Sequence, residues 1–283
     1  NKFDNLYFHA KKNKNHFSSF KVAGVEFGKQ LVTFVGPNMV ESRDLILDVA
    51  KNVQKIGADF LRGGAFKPLT FPYRNSKYNE TREDGIKWLL EAKNKYNIPI
   101  ITEVMEEKFI PLVAEVADII QIGSRNMQNY PFITACAKTN KPIMLKRHYG
   151  SSLRDWLGAA EYILIEGNQK VILCERGVSA PHTHRSTSRF LLDLQVIPAA
   201  KEVTHLPVIV DPSHATFWRP WVKPMALASV AAGADGVMLE VHPDPEKAKS
   251  DGPNMVPLYR VEEIIKDFLS LKAAIKNPAV SKL

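Results

Sequence analysis

The sequence predicts an α/β fold, specifically a (β/α)8 TIM barrel, on three observations. Short apolar runs rich in Val, Ile and Leu recur eight times, near residues 32–35, 58–61, 98–102, 118–122, 142–146, 170–174, 207–211 and 235–240. Amphipathic stretches with helical spacing lie between them. The runs are nearly continuous rather than alternating, which marks strands buried on both faces, as in a parallel sheet wrapped by helices. Eight strand–helix units in about 250 residues is the count of this barrel. A doubly wound open sheet is the competing arrangement, but no G-x-G-x-x-G follows the first run.

In chain order, residues 1–18 are polar and basic and read as a loosely held arm. Phe20 to Leu31 alternates apolar and polar around Ala23-Gly24, the pattern of a small hairpin. Residues 1–31 therefore form an N-terminal arm and hairpin, and residues 32–283 a single barrel domain with no linker inside it. Among the barrel's helices the spacing predicts Arg43 to Ile56, Glu83 to Lys95, Leu153 to Glu166 and Arg189 to Val203.

Composition narrows the class. The chain has 283 residues, 45% of them hydrophobic, and no apolar run near the roughly 18 residues of a membrane helix. The opening residues lack the charged-then-apolar order of a signal peptide. Its two cysteines, Cys136 and Cys174, sit inside apolar segments and read as buried thiols in a reducing cytoplasm. The net charge of +8 raises a nucleic-acid reading, yet the only dense basic run is Lys11-Lys12-Asn13-Lys14. Cations serving small anionic substrates account for the excess better.

In a (β/α)8 barrel the active site lies at the C-terminal ends of the strands. Each run ends in something ionisable or amide-bearing. The first gives Asn38, with Glu41 and Ser42 opening the next helix; the second gives Arg62, then Gly63-Gly64 and Lys67. Glu103, Gln121 with Arg125, Lys146-Arg147 and Glu175-Arg176 follow, then Asp211 with His214, and Glu240 with His242. Arg62, Lys67, Arg125, Lys146 and Arg176 are too many cations for one carboxylate. Their number suits a substrate carrying both phosphate and carboxylate, and without a ligand they would leave a large unneutralised field. His214, Glu240 and Asp251 form a second group with the donor set of a borderline divalent ion.

These motifs resemble a known family. Gly36-Pro37-Asn38-Met39-Val40-Glu41-Ser42, Leu61-Arg62-Gly63-Gly64-Ala65-Phe66-Lys67-Pro68, Gln121 to Asn129, Cys174-Glu175-Arg176-Gly177, Asp211-Pro212-Ser213-His214, Glu240-Val241-His242-Pro243 and Ser250-Asp251-Gly252 look like 3-deoxy-arabino-heptulosonate 7-phosphate (DAHP) synthases of the compact microbial type. The related 3-deoxy-octulosonate 8-phosphate synthases share the barrel. The resemblance runs from about Phe20 to Met255. It implies a transferase of the shikimate pathway and aromatic amino acid biosynthesis. Such an enzyme condenses phosphoenolpyruvate with an aldose phosphate, erythrose 4-phosphate by family precedent, and releases phosphate.

Carried over residue by residue, the resemblance makes Arg62, Lys67, Arg125, Lys146 and Arg176 phosphoenolpyruvate-binding cations, with Gln121 beside them. His214, Glu240 and Asp251 match three of four metal ligands, for Mn²⁺ or Zn²⁺ if an ion is used. Lys67, His214 and Asn38 are the candidates for direct roles in the chemistry. The resemblance also implies a cytoplasmic homotetramer.

The chain departs from the family in two places. The fourth ligand is usually Cys, and here Asn38 replaces it. An amide is a poor substitute for thiolate on a borderline ion, so a vestigial site and a metal-independent enzyme are the expectation. Lys67-Pro68-Leu69-Thr70-Phe71 replaces Lys-Pro-Arg-Thr-Ser, so the usual grip on the acceptor's phosphate is missing. Arg74, Ser76 and the Arg185 of the 182–188 loop are the candidates to replace it. A five-carbon sugar phosphate, another aldehyde, or a non-catalytic barrel that binds phosphorylated metabolites therefore stay open beside the leading reading.

Overall fold

All eight apolar runs are strands, hydrogen-bonded in parallel into a closed ring. They are β3 (Val32–Gly36), β4 (Phe60–Arg62), β5 (Ile100–Glu103), β6 (Ile119–Ile122), β7 (Ile143–Lys146), β8 (Val171–Glu175), β9 (Val208–Val210) and β10 (Gly236–His242). The ring closes because β10 pairs with β3 on one side and with β9 on the other. The computed structural model describes residues 7–67, 80–181, 184–185 and 190–275. A two-residue strand, β11 (Val256–Pro257), adds to β10 beyond the ring. No helix of the described residues is long and apolar enough to cross a membrane.

Helices cover the outside. α1 (Arg43–Ile56) runs over the predicted residues, started by Ser42, whose Oγ accepts from Leu45 N at 3.3 Å. α2 (Arg82–Tyr96), α3 (Ile110–Val116) and α4 (Tyr130–Ala137) follow. α5 (Leu153–Leu164) starts in a Ser152–Asp155 capping box. α6 (Val196–Val203) begins seven residues later than the sequence predicts. Two contacts hold the preceding segment out of the helix: Leu191 pairs with Val178 in an antiparallel bridge, and Asp193 Oδ1 accepts from Val196 N at 3.2 Å. α7 (Pro212–Thr216), α8 (Arg219–Ala231) and α9 (Val261–Ile275) complete the wall.

The two-residue period of a strand sorts the barrel into two cores. Phe34, Phe60, Ile101, Ile119, Met144, Ile172, Ile209 and Met238 form the interior. Their neighbours Val35, Leu61, Ile100, Ile120, Leu145, Leu173, Val208 and Leu239 pack outward against the helices. The hairpin, β1 (Phe20–Val22) with β2 (Val25–Phe27), joins the inner core. Phe27 stands 6.3 Å from the Phe34 ring and 6.0 Å from the Phe60 ring, centre to centre.

Candidate active site

Parity decides which strand-end side chains share the interior. Two residues beyond Phe60 comes Arg62, beyond Ile101 Glu103, beyond Ile119 Gln121, beyond Met144 Lys146, beyond Ile209 Asp211 and beyond Met238 Glu240. The adjacent charges fall on the outward face. Arg147 donates to Glu175 at 2.9 Å, to Asp193 at 2.8 Å and to the Ser151 carbonyl at 3.0 Å. Arg147 and Glu175 therefore brace the barrel against α5 and α6. Arg176 lies in the inward register, and its guanidinium stands 4.3 Å from the Phe190 ring centre.

The interior charges open into a chamber of about 190 Å³. It gathers the five predicted cations, Arg62, Lys67, Arg125, Lys146 and Arg176, with Asn38, His214 and Asp251. Gln121 lines it too, donating to Glu103 at 3.1 Å. Carboxylates answer three of the five cations, so the unneutralised field expected from the sequence is reduced. Arg62 pairs with Glu240, Lys67 Nζ with Asp251 at 3.0 Å, and Lys146 Nζ with Asp211 at 2.5 Å. Arg125 is exposed at the rim.

Glycines bring the first two strand ends together. A Cβ on Gly64 would stand 2.5 Å from the Asn38 carbonyl oxygen, and Val40 N donates to Gly64 O at 2.9 Å. Gly64 thus allows the close contact between these two loops, and Gly63 leaves room for the Val40 and Leu89 side chains.

Asp211 organises the floor. It is fully buried and takes Lys146 Nζ, His214 N at 3.1 Å and His214 Nδ1 at 2.6 Å. Burial alone would push its carboxyl up, but the surrounding positive charges hold it well below the usual carboxylate range. His214 contributes most to that depression of Asp211, then Lys146 and Arg62, while burial holds the His214 imidazole below its own ordinary range against the pull of Asp211 and Glu240. With Nδ1 fixed by Asp211, His214 turns Nε2 toward Glu240 Oε1 at 3.2 Å.

His214, Glu240 and Asp251 each offer a donor atom, all within 4.8 Å of one another, a set that fits a divalent cation. Asn38 faces this trio through its nitrogen. Its Nδ2 donates to Asp251 Oδ2, while its Oδ1 accepts from Arg62 Nη2 at 3.2 Å. The carbonyl oxygen, the only atom of the amide that can ligate a metal well, is committed elsewhere.

Arg74, Ser76, Leu69 and Phe71 lie outside the described residues. Arg185 stands over the Trp218 ring, 3.6 Å from its centre, and His184 meets Trp221 edge-on at 6.3 Å. Trp218 lines a second chamber, of about 480 Å³, whose wall also includes Ser250 and Asp251. The sequence placed Asp211 and Glu103 at strand ends on the active-site face but gave them no role, and it did not point to Tyr149 or Phe190. Asp211 and Glu103 follow from strand parity. Nothing in the sequence marks the two aromatics.

Both cysteines are buried, and burial pushes each thiol up to about 12, so neither is a nucleophile at neutral pH.

A closed barrel whose strand ends deliver cations, buried carboxylates and a histidine to one chamber is the frame of an enzyme for small anionic substrates. Residues 18–276 match the DAHP synthetase I family, and the chain belongs to it. It is 40% identical over 252 residues to a phospho-2-dehydro-3-deoxyheptonate aldolase of Thermotoga maritima, covering 89% of this chain and 73% of that one. It is 34% identical over 261 residues to a 2-dehydro-3-deoxyphosphooctonate aldolase of Acinetobacter baylyi, covering 87% and 90%. Among solved structures, a DAHP synthase of Thermotoga maritima superposes with a TM-score of 0.88 at 36% identity, covering 95% of this chain and 78% of that one. A truncated form of 3-deoxy-D-arabino-heptulosonate 7-phosphate synthase from the same organism gives 0.84 at 35% identity, with 94% and 96% covered.

Proposed function

We propose that the chain is a DAHP-type synthase, condensing phosphoenolpyruvate with an aldose phosphate, erythrose 4-phosphate first among them. The observation that carries this reading is the single chamber in which Lys67, Arg125, Lys146 and Arg176 face Asn38, His214 and Asp251. Phosphoenolpyruvate brings a phosphate and a carboxylate joined by three carbons, and five cations, Arg62 among them, line one small space that suits that charge.

In the reaction, C3 of phosphoenolpyruvate forms a bond to the aldehyde carbon, and the aldehyde oxygen takes a proton. Water adds to C2 and gives up a proton. The bond from C2 to the phosphate oxygen then breaks as the C2 hydroxyl gives its proton to the departing phosphate, leaving a ketone and inorganic phosphate. Lys146 and Arg176 hold the phosphate and stabilise the charge that grows on it as it leaves. His214, neutral and aligned by Asp211, presents Nε2 to accept or return a proton. The Asn38 amide donates a hydrogen bond toward the reacting aldehyde or water. A divalent cation bound at His214, Glu240 and Asp251, where the family uses one, would polarise the acceptor's carbonyl. The orientation of Asn38 favours the metal-independent form.

The deciding experiment measures phosphate release from phosphoenolpyruvate with erythrose 4-phosphate, arabinose 5-phosphate and unphosphorylated aldehydes. Release with erythrose 4-phosphate, matched by loss of phosphoenolpyruvate, is expected. Release only with another aldehyde would reassign the acceptor, and no release with any would leave a metabolite-binding barrel. The same reading carries a cytoplasmic homotetramer, which sedimentation and fractionation would check.

A further inference from the structure

The first chamber is small for two substrates. At about 190 Å³ it falls below the roughly 300 Å³ at which small-ligand sites begin, and its cations are those assigned to phosphoenolpyruvate. The second chamber, at about 480 Å³, lies within that range. Ser250 and Asp251 line both, so they form the partition across which one meets the other. Asp251 holds a left-handed backbone, φ 53°, the conformation in which it faces Asn38 and Lys67 on one side.

The far side of that partition differs in character. Trp218, Pro220, Pro245 and Pro253 give it apolar walls. Its charges are unequally matched. Arg219 is consumed by Glu246 at 2.9 Å and by the carbonyls of Met255 and Gly252. Lys249 is anchored by its backbone N, which donates to Glu41 Oε1 at 2.8 Å, while its Nζ makes a long contact of 3.4 Å to the Glu41 carbonyl; Arg185 rests on Trp218. Among the described residues neither Lys249 nor Arg185 has a carboxylate within ion-pair distance.

We propose that this second chamber is the distal subsite for the acceptor. The aldehyde end sits beside Asn38 and Asp251, the body crosses Ser250, and the anionic end group lies between Lys249 and the Arg185–Trp218 stack. The substrate class is an aldehyde with a carbon body and a terminal phosphate. This rests on the synthase reading above for the position of the aldehyde.

The test uses arabinitol 5-phosphate and erythritol 4-phosphate, unreactive alcohol forms of two acceptors. Each is titrated into the full chain by calorimetry, with tryptophan fluorescence reporting on Trp218. Ala248→Phe, which fills the chamber, and Arg185→Ala and Lys249→Ala are compared with wild type. Each variant is expected to bind the better probe at least about tenfold more weakly, with phosphoenolpyruvate affinity unchanged. Unchanged phosphoenolpyruvate affinity also shows that Ala248→Phe is folded. Wild-type probe affinity in Ala248→Phe, or in both charge variants, would overturn the proposal, as would wild-type protein that binds neither probe. Because no turnover is needed, a failed synthase assay and a failed subsite remain separate results.

Discussion

Arg62 donates through Nη2 to Asn38 Oδ1 at 3.2 Å, and so fixes which end of the Asn38 amide meets Asp251. Two neighbours agree on the orientation, since a guanidinium can only donate and a carboxylate only accept. The amide therefore meets the His214–Glu240–Asp251 trio as a hydrogen-bond donor.

Activity is accordingly expected to survive exhaustive EDTA treatment, in protein shown by elemental analysis to hold no metal. Loss of activity restored by Mn²⁺ or Zn²⁺ would return the trio to metal ligation. Asn38→Cys should create or tighten a divalent site, because the other three donors already lie within 4.8 Å.

Lys146→Ala and Arg176→Ala should each weaken phosphoenolpyruvate binding. A lost charge-assisted contact in a buried site costs on the order of 1.5–3 kcal/mol, or about 10- to 150-fold in Kd. Titration calorimetry decides, and wild-type affinity in either variant removes that residue from the site.

Gly123→Ala tests the chamber wall without touching a cation. The backbone there, φ −70°, accepts alanine, but the new Cβ would stand 2.0 Å from Glu103 Oε1. Glu103 must swing away, taking its contact with Gln121. The expected loss is about 1–3 kcal/mol, shared between stability and phosphoenolpyruvate affinity. Unaltered values of both would show that Glu103 moves freely.

Low pH should loosen the N-terminal arm. His205 donates from Nε2 to the Phe8 carbonyl at 2.6 Å, accepts from Ser18, and stacks on His16 at 4.3 Å. Burial first, then His16 and His9, hold its imidazole below the ordinary range, against the hydrogen bond to the Phe8 carbonyl and a smaller pull from Glu161. A depressed histidine contributes stability that is complete above its unfolded pKa of about 6.5 and is lost as pH falls toward the folded value. The melting temperature should drop between pH 7.5 and 5.5, and the drop should shrink in His205→Asn. An equal drop in that variant would assign the effect elsewhere.

The ring of strands was legible because both-face burial writes itself into continuous apolar runs, as in Val171 to Cys174. The site was legible at Arg62, Lys146 and Glu240 because each is the first polar residue where such a run ends. The partner of each cation was not, since Lys146 and Asp211 are 65 residues apart and meet only when the ring closes. The start of α6 was missed for a similar reason, because Asp193 is drawn to Arg147, 46 residues away. Phe190 reaches the chamber from an irregular segment, where no periodicity exists to be read.

Phe27 and Val22 place the hairpin's apolar face in the same inner core as Phe34 and Phe60. Among the described residues the hairpin thereby stoppers one end of the barrel and leaves the mouth at the other. Whatever enters must leave by the same doorway, and released phosphate passes back over Lys146 and Arg176 on its way out. Inorganic phosphate should therefore inhibit competitively against phosphoenolpyruvate. A noncompetitive pattern would place inorganic phosphate at a site other than the one that holds the substrate's phosphate.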